Sequence, residues 1–119
     1  MPILFRFNAS VKTVPLPNSY RQLQRRLARL GFLSQGSVFE RKPSQQGSRY
    51  VWTRKMRGKT VTVALSEQQF HCLRQAVANQ RELDKIVSKM QVLSREALFS
   101  NVPGVPRRKR LSKKVLGTI

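Results

Sequence analysis

The sequence predicts an α+β fold: an N-terminal helix, a three-stranded antiparallel sheet, a long C-terminal helix with a heptad seam, and a basic disordered tail. Three observations predict it. Apolar residues recur at helical spacing as far as Gly31, switch to period two between Gly36 and Leu65, and return to helical spacing from Ser66 with no Gly or Pro until Pro103. A chain of 119 residues suits one compact domain with tails better than two. The expected division is a tail or edge strand over 1–17, one α+β domain over 18–100, and a basic arm over 101–119.

Residues 1–16 alternate apolar and polar around Phe5, Phe7, Val11 and Val14, then meet Pro15 and Pro17. Asn18 and Ser19 are natural N-caps, and Tyr20, Leu23, Leu27 and Leu30 follow at helical spacing, which predicts a first helix from about Ser19 to Leu30. Gly31 is its expected stop. Ser37 to Lys42 reads as a short strand ended by Pro43, and Ser44 to Gly47 as a turn. Arg49 to Met56 and Lys59 to Leu65 alternate around Arg57-Gly58, a two-residue hairpin loop. That loop sets Met56 opposite Lys59, Arg54 opposite Val61, Trp52 opposite Val63 and Tyr50 opposite Leu65. This face is aromatic and β-branched and is expected to be the core side. The other carries Val51, Thr53, Lys55, Thr60, Thr62 and Ala64 and is expected to be the outer side.

Ser66 followed by Gln69 forms a capping box, and Glu67 suits the positive end of a helix dipole. The helix predicted from here spans 66–100. Phe70, Leu73 and Val77 are spaced to cover the sheet, while Asn79, Leu83, Ile86, Met90 and Leu93 follow the alternating threes and fours of a heptad seam. Such a seam serves a homodimer or partner helix, with Asn79 fixing register. It equally serves packing on the first helix, whose Leu23, Leu27 and Leu30 share the spacing.

Charge narrows the function classes. The net charge is +19, and it is uneven: residues 1–35, 36–65 and 101–119 each carry a net +6, whereas 66–100 carries +1. A pI near 11.8 makes nucleic acid the leading partner. No apolar run approaches the roughly 20 residues of a bilayer span, and the N-terminus lacks the charged and apolar regions of a secretory signal. The single Cys72 fits a reducing compartment. A cytoplasmic, nucleoid-associated protein with no membrane role is the expectation.

Candidate nucleic-acid contacts fall in three groups. Arg21, Arg25 and Arg29 recur every four residues on the first helix. Arg41, Lys42, Arg49, Thr53, Lys55, Lys59, Thr60 and Thr62 accompany the sheet. Arg107, Arg108, Lys109, Arg110, Lys113 and Lys114 crowd the tail, where a chain that cannot fold alone settles on phosphates through counterion release. The same tail composition suits a solubilising segment or an import signal.

Catalysis is not expected. Of five acidic residues, Glu67 belongs to a helix start, and Glu82, Asp84 and Glu96 interleave with basic residues as ordinary helix surface. His71 and Cys72 are adjacent on a helix and point about 100° apart, which is unsuitable for chelation from one face. Cofactors, metals and small-molecule substrates are not expected.

The order of Gly36-Ser37-Val38-Phe39-Glu40-Arg41-Lys42, a polar turn, Tyr50-Val51-Trp52-Thr53-Arg54, Gly58-Lys59-Thr60-Val61-Thr62-Val63 and a helix from Ser66 resembles the three-strand-plus-helix arm-binding domains of tyrosine recombinases. The resemblance implies a sheet laid in the major groove. Over about residues 19–98, Gly36-Ser37, Tyr50, Gly58-Lys59 and the helix from Ser66 are similar to a family of small uncharacterised bacterial proteins associated with mobile elements. That family's Cys-rich segment has no counterpart between Lys42 and Gly47. The resemblance implies an accessory or regulatory factor of mobile DNA and no reaction type.

The expectation is therefore a non-enzymatic DNA-binding protein using a basic sheet face and an arm. An RNA-binding or ribonucleoprotein assembly component is the second reading, favoured if Trp52 is exposed for stacking. A protein-docking adaptor working through the helix from Ser66 is the third.

Overall fold

The structure, a computed structural model, describes residues 14–117. The reading of a tail or edge strand over 1–17 falls mostly outside them. The elements are α1 (Asn18–Ala28), β1 (Ser37–Glu40), β2 (Tyr50–Met56), β3 (Lys59–Leu65), α2 (Glu67–Asn101) and α3 (Lys113–Leu116). The α+β architecture is as predicted. The chain divides into two compact units, one running from Arg29 to Lys85 and the other combining the chain up to Ala28 with the chain from Ile86 onward.

In the Arg29–Lys85 unit the three strands lie in the order β1-β2-β3, all antiparallel. The hairpin register is the predicted one, pairing Met56 with Lys59, Arg54 with Val61, Trp52 with Val63 and Tyr50 with Leu65. Arg57 and Gly58 have φ of 52° and 79°. Positive φ at both central residues marks a type I′ turn, whose twist matches that of the strands it joins.

Ser66 closes the sheet and opens α2. Its hydroxyl accepts from the Gln69 N–H at 3.1 Å while the Gln69 side chain accepts from the Ser66 N–H at 2.9 Å. Both donors would otherwise be unpaired at the helix start, so this reciprocal box fixes where the helix begins. One turn on, Phe70 meets Tyr50 with ring centroids 4.7 Å apart. Both rings are buried, as are Ala76 and Val77 further along the helix. Burying one such aromatic is worth about 2 kcal/mol, so this pair is a main anchor of the unit.

Gly31 is not where the first helix stops. The helix ends at Ala28, and the chain from Phe32 to Gln35 is instead held by partners remote in sequence. Ser34 N–H donates to the Ala76 carbonyl at 3.2 Å, the Asn79 amide donates to the Phe32 carbonyl at 3.0 Å, and the Trp52 indole donates to the Gln35 carbonyl at 2.9 Å. These bonds compete with continued helix. Gly36 then turns into β1 at φ 107°, where a Cβ would lie 2.5 Å from both the Thr53 carbonyl oxygen and Trp52 Nε1. Strand β1 is shorter than expected and ends at Glu40.

The second unit holds α1, the later part of α2 and the arm. Leu23 of α1 and Ile86 of α2 are buried, Ile86 completely. Ser19, Leu23 and Arg26 of α1 border one shallow groove with Lys89, Val92 and Leu93 of α2. The arm expected to lack structure carries one turn of order: Ser112 caps α3 by accepting from Val115 N–H at 3.1 Å, and Gly117 ends it at φ 77°. Arg95 Nε donates to the Leu116 carbonyl and ties that turn to α2.

Candidate nucleic-acid interface

Strand alternation sorts the sheet's side chains onto two faces. Tyr50, Trp52, Arg54 and Met56 share one face with Lys59, Val61, Val63 and Leu65. Because Tyr50 stacks on Phe70, this is the side that meets α2. The opposite face presents Ser37, Phe39, Val51, Thr53, Lys55, Thr60, Thr62 and Ala64.

Two sequence assignments need correction here. Val51, placed on the outer face, is only 2 % exposed and belongs to the core; alternation shows which way a residue points and not what covers it. Lys59, grouped with Thr53, Thr60 and Thr62 among the candidate contacts, pairs with Met56 as the hairpin loop predicts and so lies on the face opposite those threonines. Thr53 is half-buried, whereas Lys55, Thr60 and Thr62 are exposed. The polar and basic part of this face is its end nearest the turn, where Lys55 pairs with Thr60 and Thr53 with Thr62; Ser37, Phe39 and Ala64 are exposed at its other end.

The cations of the sheet region differ in how they are engaged. Arg49 donates from Nε and Nη2 to Glu40 Oε2 at 2.9 and 2.8 Å, and its guanidinium lies 5.2 Å from the Tyr50 ring centroid. The hydrogen bond and charge of Glu40 push the Arg49 guanidinium above its ordinary value. Arg41 turns inward over the β1–β2 loop and donates to the Gln46 carbonyl at 3.0 Å. Lys42 is exposed in the same loop, its main-chain N–H held by the Gln45 side chain at 2.9 Å. Arg54, which the sequence reading left out, lies over Trp52 at 5.7 Å and donates to Met56 Sδ at 3.3 Å.

At the turn the situation reverses. Lys55, Arg57 and Lys59 are exposed, and none has a side-chain partner among the described residues. Three unengaged cations therefore sit within five residues at one end of a two-stranded ribbon. Arg57 was also missed by the sequence reading, which treated Arg57-Gly58 only as a turn.

Compared with known proteins, this chain matches no family model, no curated protein and no solved structure. Surface chemistry carries the functional argument.

In the helical unit Arg21 and Arg25 are exposed on α1, with Arg21, Gln24 and Arg25 along one shallow depression. Arg29 falls one residue beyond the helix, in the turn that follows it. Arg107, Arg108, Lys109 and Arg110 border a groove of about 660 Å³ whose other wall includes Phe99, Val105, Leu111 and Leu116. Lys113 and Lys114 are exposed on α3.

The heptad seam is largely used within the chain. Asn79 is bonded to Phe32 and accepts from Gln75 Nε2 at 2.9 Å, Ile86 is fully buried, and Leu93 borders grooves with α1 and with Pro15 and Leu16. Leu83 and Met90 are half-buried. Of the later seam residues, Leu93 shares its groove with Ser19, Leu23 and Arg26 of the first helix. Among the described residues no three His, Cys, Asp or Glu gather as metal ligands, and no helix is long and apolar enough to cross a membrane.

Proposed function

We propose that this protein binds duplex DNA without catalysing a reaction, seating the turn end of the β2–β3 ribbon in the major groove and using the arginines of α1 and the basic arm on phosphates. The observation that carries this reading is the contrast among the cations. The two arginines near the β1–β2 loop, Arg49 and Arg41, are committed to Glu40 and to main-chain oxygen, whereas Lys55, Arg57 and Lys59 cluster at the ribbon's turn and face solvent unpaired. A B-form major groove is about 12 Å wide and admits a two-stranded ribbon. Thr60 and Thr62 beside Lys55 add short donors and acceptors able to meet base edges.

The RNA reading would gain from an exposed Trp52. That indole is half-buried, its N–H is spent on Gln35 and Arg54 lies over it, so it offers little surface for base stacking.

Fluorescence anisotropy with duplex DNA, single-stranded DNA and structured RNA of equal length, each across a salt series, tests the proposal. Duplex preference that persists as salt rises supports it. Equal affinity for all three, falling steeply with salt, refutes groove binding and leaves only an electrostatic anchor.

A further inference from the structure

Arg57 stands where turn chemistry asks for something else. The first central position of a type I′ turn needs positive φ, which favours Asn, Asp or Gly; here it is held by a side chain with a long stem and a φ of 52°. No contact in the described structure compensates, since the side chain is exposed and without a partner. A residue that works against its own local fold is a candidate for function.

The other arginines of the sheet and its loops lack that freedom. Arg41 is bonded to Gln46, Arg49 to Glu40, and Arg54 lies on Trp52. Arg57 alone among these four presents its planar fork of donors outward, and it does so from the apex, the part of a ribbon that travels furthest into a groove. A guanidinium matches the paired O6 and N7 acceptors that guanine shows in the major groove, and neither adenine nor a pyrimidine offers that pair.

We infer that Arg57 is the specificity-determining residue of the ribbon and reads a guanine edge in the major groove. This rests on the duplex-binding reading above. Lys55 and Lys59, flanking it as compact charges, hold phosphates on either side and tolerate any sequence.

The test compares sequences recovered by the wild-type protein and by Arg57→Asn from a randomised DNA duplex pool. Asparagine suits the turn, so the variant folds at least as stably, which a thermal melt verifies. The wild-type pool is expected to fix a guanine that the Arg57→Asn pool does not, with about tenfold tighter wild-type binding to that site. Replacing that guanine by 7-deazaguanine, which lacks N7, should remove the advantage for wild type and leave the variant unchanged. The same enriched sequence and affinity from both proteins would overturn the assignment to Arg57 while leaving duplex binding intact. A wild-type pool with no enriched base at all would overturn the groove-reading proposal beneath it.

Discussion

The side-chain amide of Asn79 donates to the main-chain carbonyl of Phe32, 47 residues earlier in the chain, at 3.0 Å. In a heptad seam an asparagine is a register device for a partner helix; in this protein the amide is committed to its own chain. Asn79→Ala should therefore lower stability by about 1 kcal/mol by leaving that carbonyl to water. Asn79→Leu should cost about as much although it makes the seam more apolar. Denaturant melts read the loss, and sedimentation should show no change in oligomeric state for either variant.

Ile86 gives the complementary prediction. It is completely buried, so Ile86→Ala should destabilise the chain by about 3 kcal/mol through lost burial and a cavity. If the residue packs within one chain, the melting temperature of the variant will not move with protein concentration. A concentration-dependent melt would assign the residue to an interface between copies.

Gly36 and Gly58 both have positive φ but differ in surroundings. A Cβ at Gly58 meets nothing within 4 Å, so Gly58→Ala should cost only the conformational penalty, about 1 kcal/mol. A Cβ at Gly36 would press on the Thr53 carbonyl and on Trp52 Nε1, breaking the bond to Gln35 as well. Gly36→Ala should cost about 2–4 kcal/mol and change the tryptophan fluorescence, which Gly58→Ala should leave alone.

On nucleic acid, Lys55→Ala should weaken binding more than Arg49→Ala, because Arg49 is already paired with Glu40. Glu40→Ala should tighten binding by freeing that arginine. Anisotropy titrations at one fixed salt concentration separate the three.

Truncation before Arg107 removes six cations and should lower affinity evenly across sequences. If all six meet phosphates, the slope of log affinity against log salt falls by about 5. Loss of sequence preference on truncation would instead make the arm a reader.

Much of the sheet unit was legible because its signals are local. A two-residue loop leaves one register, so Arg57-Gly58 predicted every β2–β3 pair, and Ser66 with Gln69 predicted where α2 opens. The end of α1 was not legible. What straightens the chain after Ala28 is a set of bonds from Ala76, Asn79 and Trp52, and no pattern near Gly31 announces them. The candidate site was half legible for the same reason. Composition found the cations, but which were free depended on pairings such as Arg49 with Glu40 that only the fold reveals.

The division of the chain also sets an order of events during synthesis. The sheet unit is a single stretch from Arg29 to Lys85, built from neighbouring strands and a helix that starts where the last strand ends. Such local pairing forms quickly. The other unit joins α1 to chain made some sixty residues later, so Leu23 stays uncovered on the ribosome until Ile86 and its followers have emerged. At about 5–20 residues per second that delay lasts several seconds, during which the apolar stripe of α1 has no partner from its own unit.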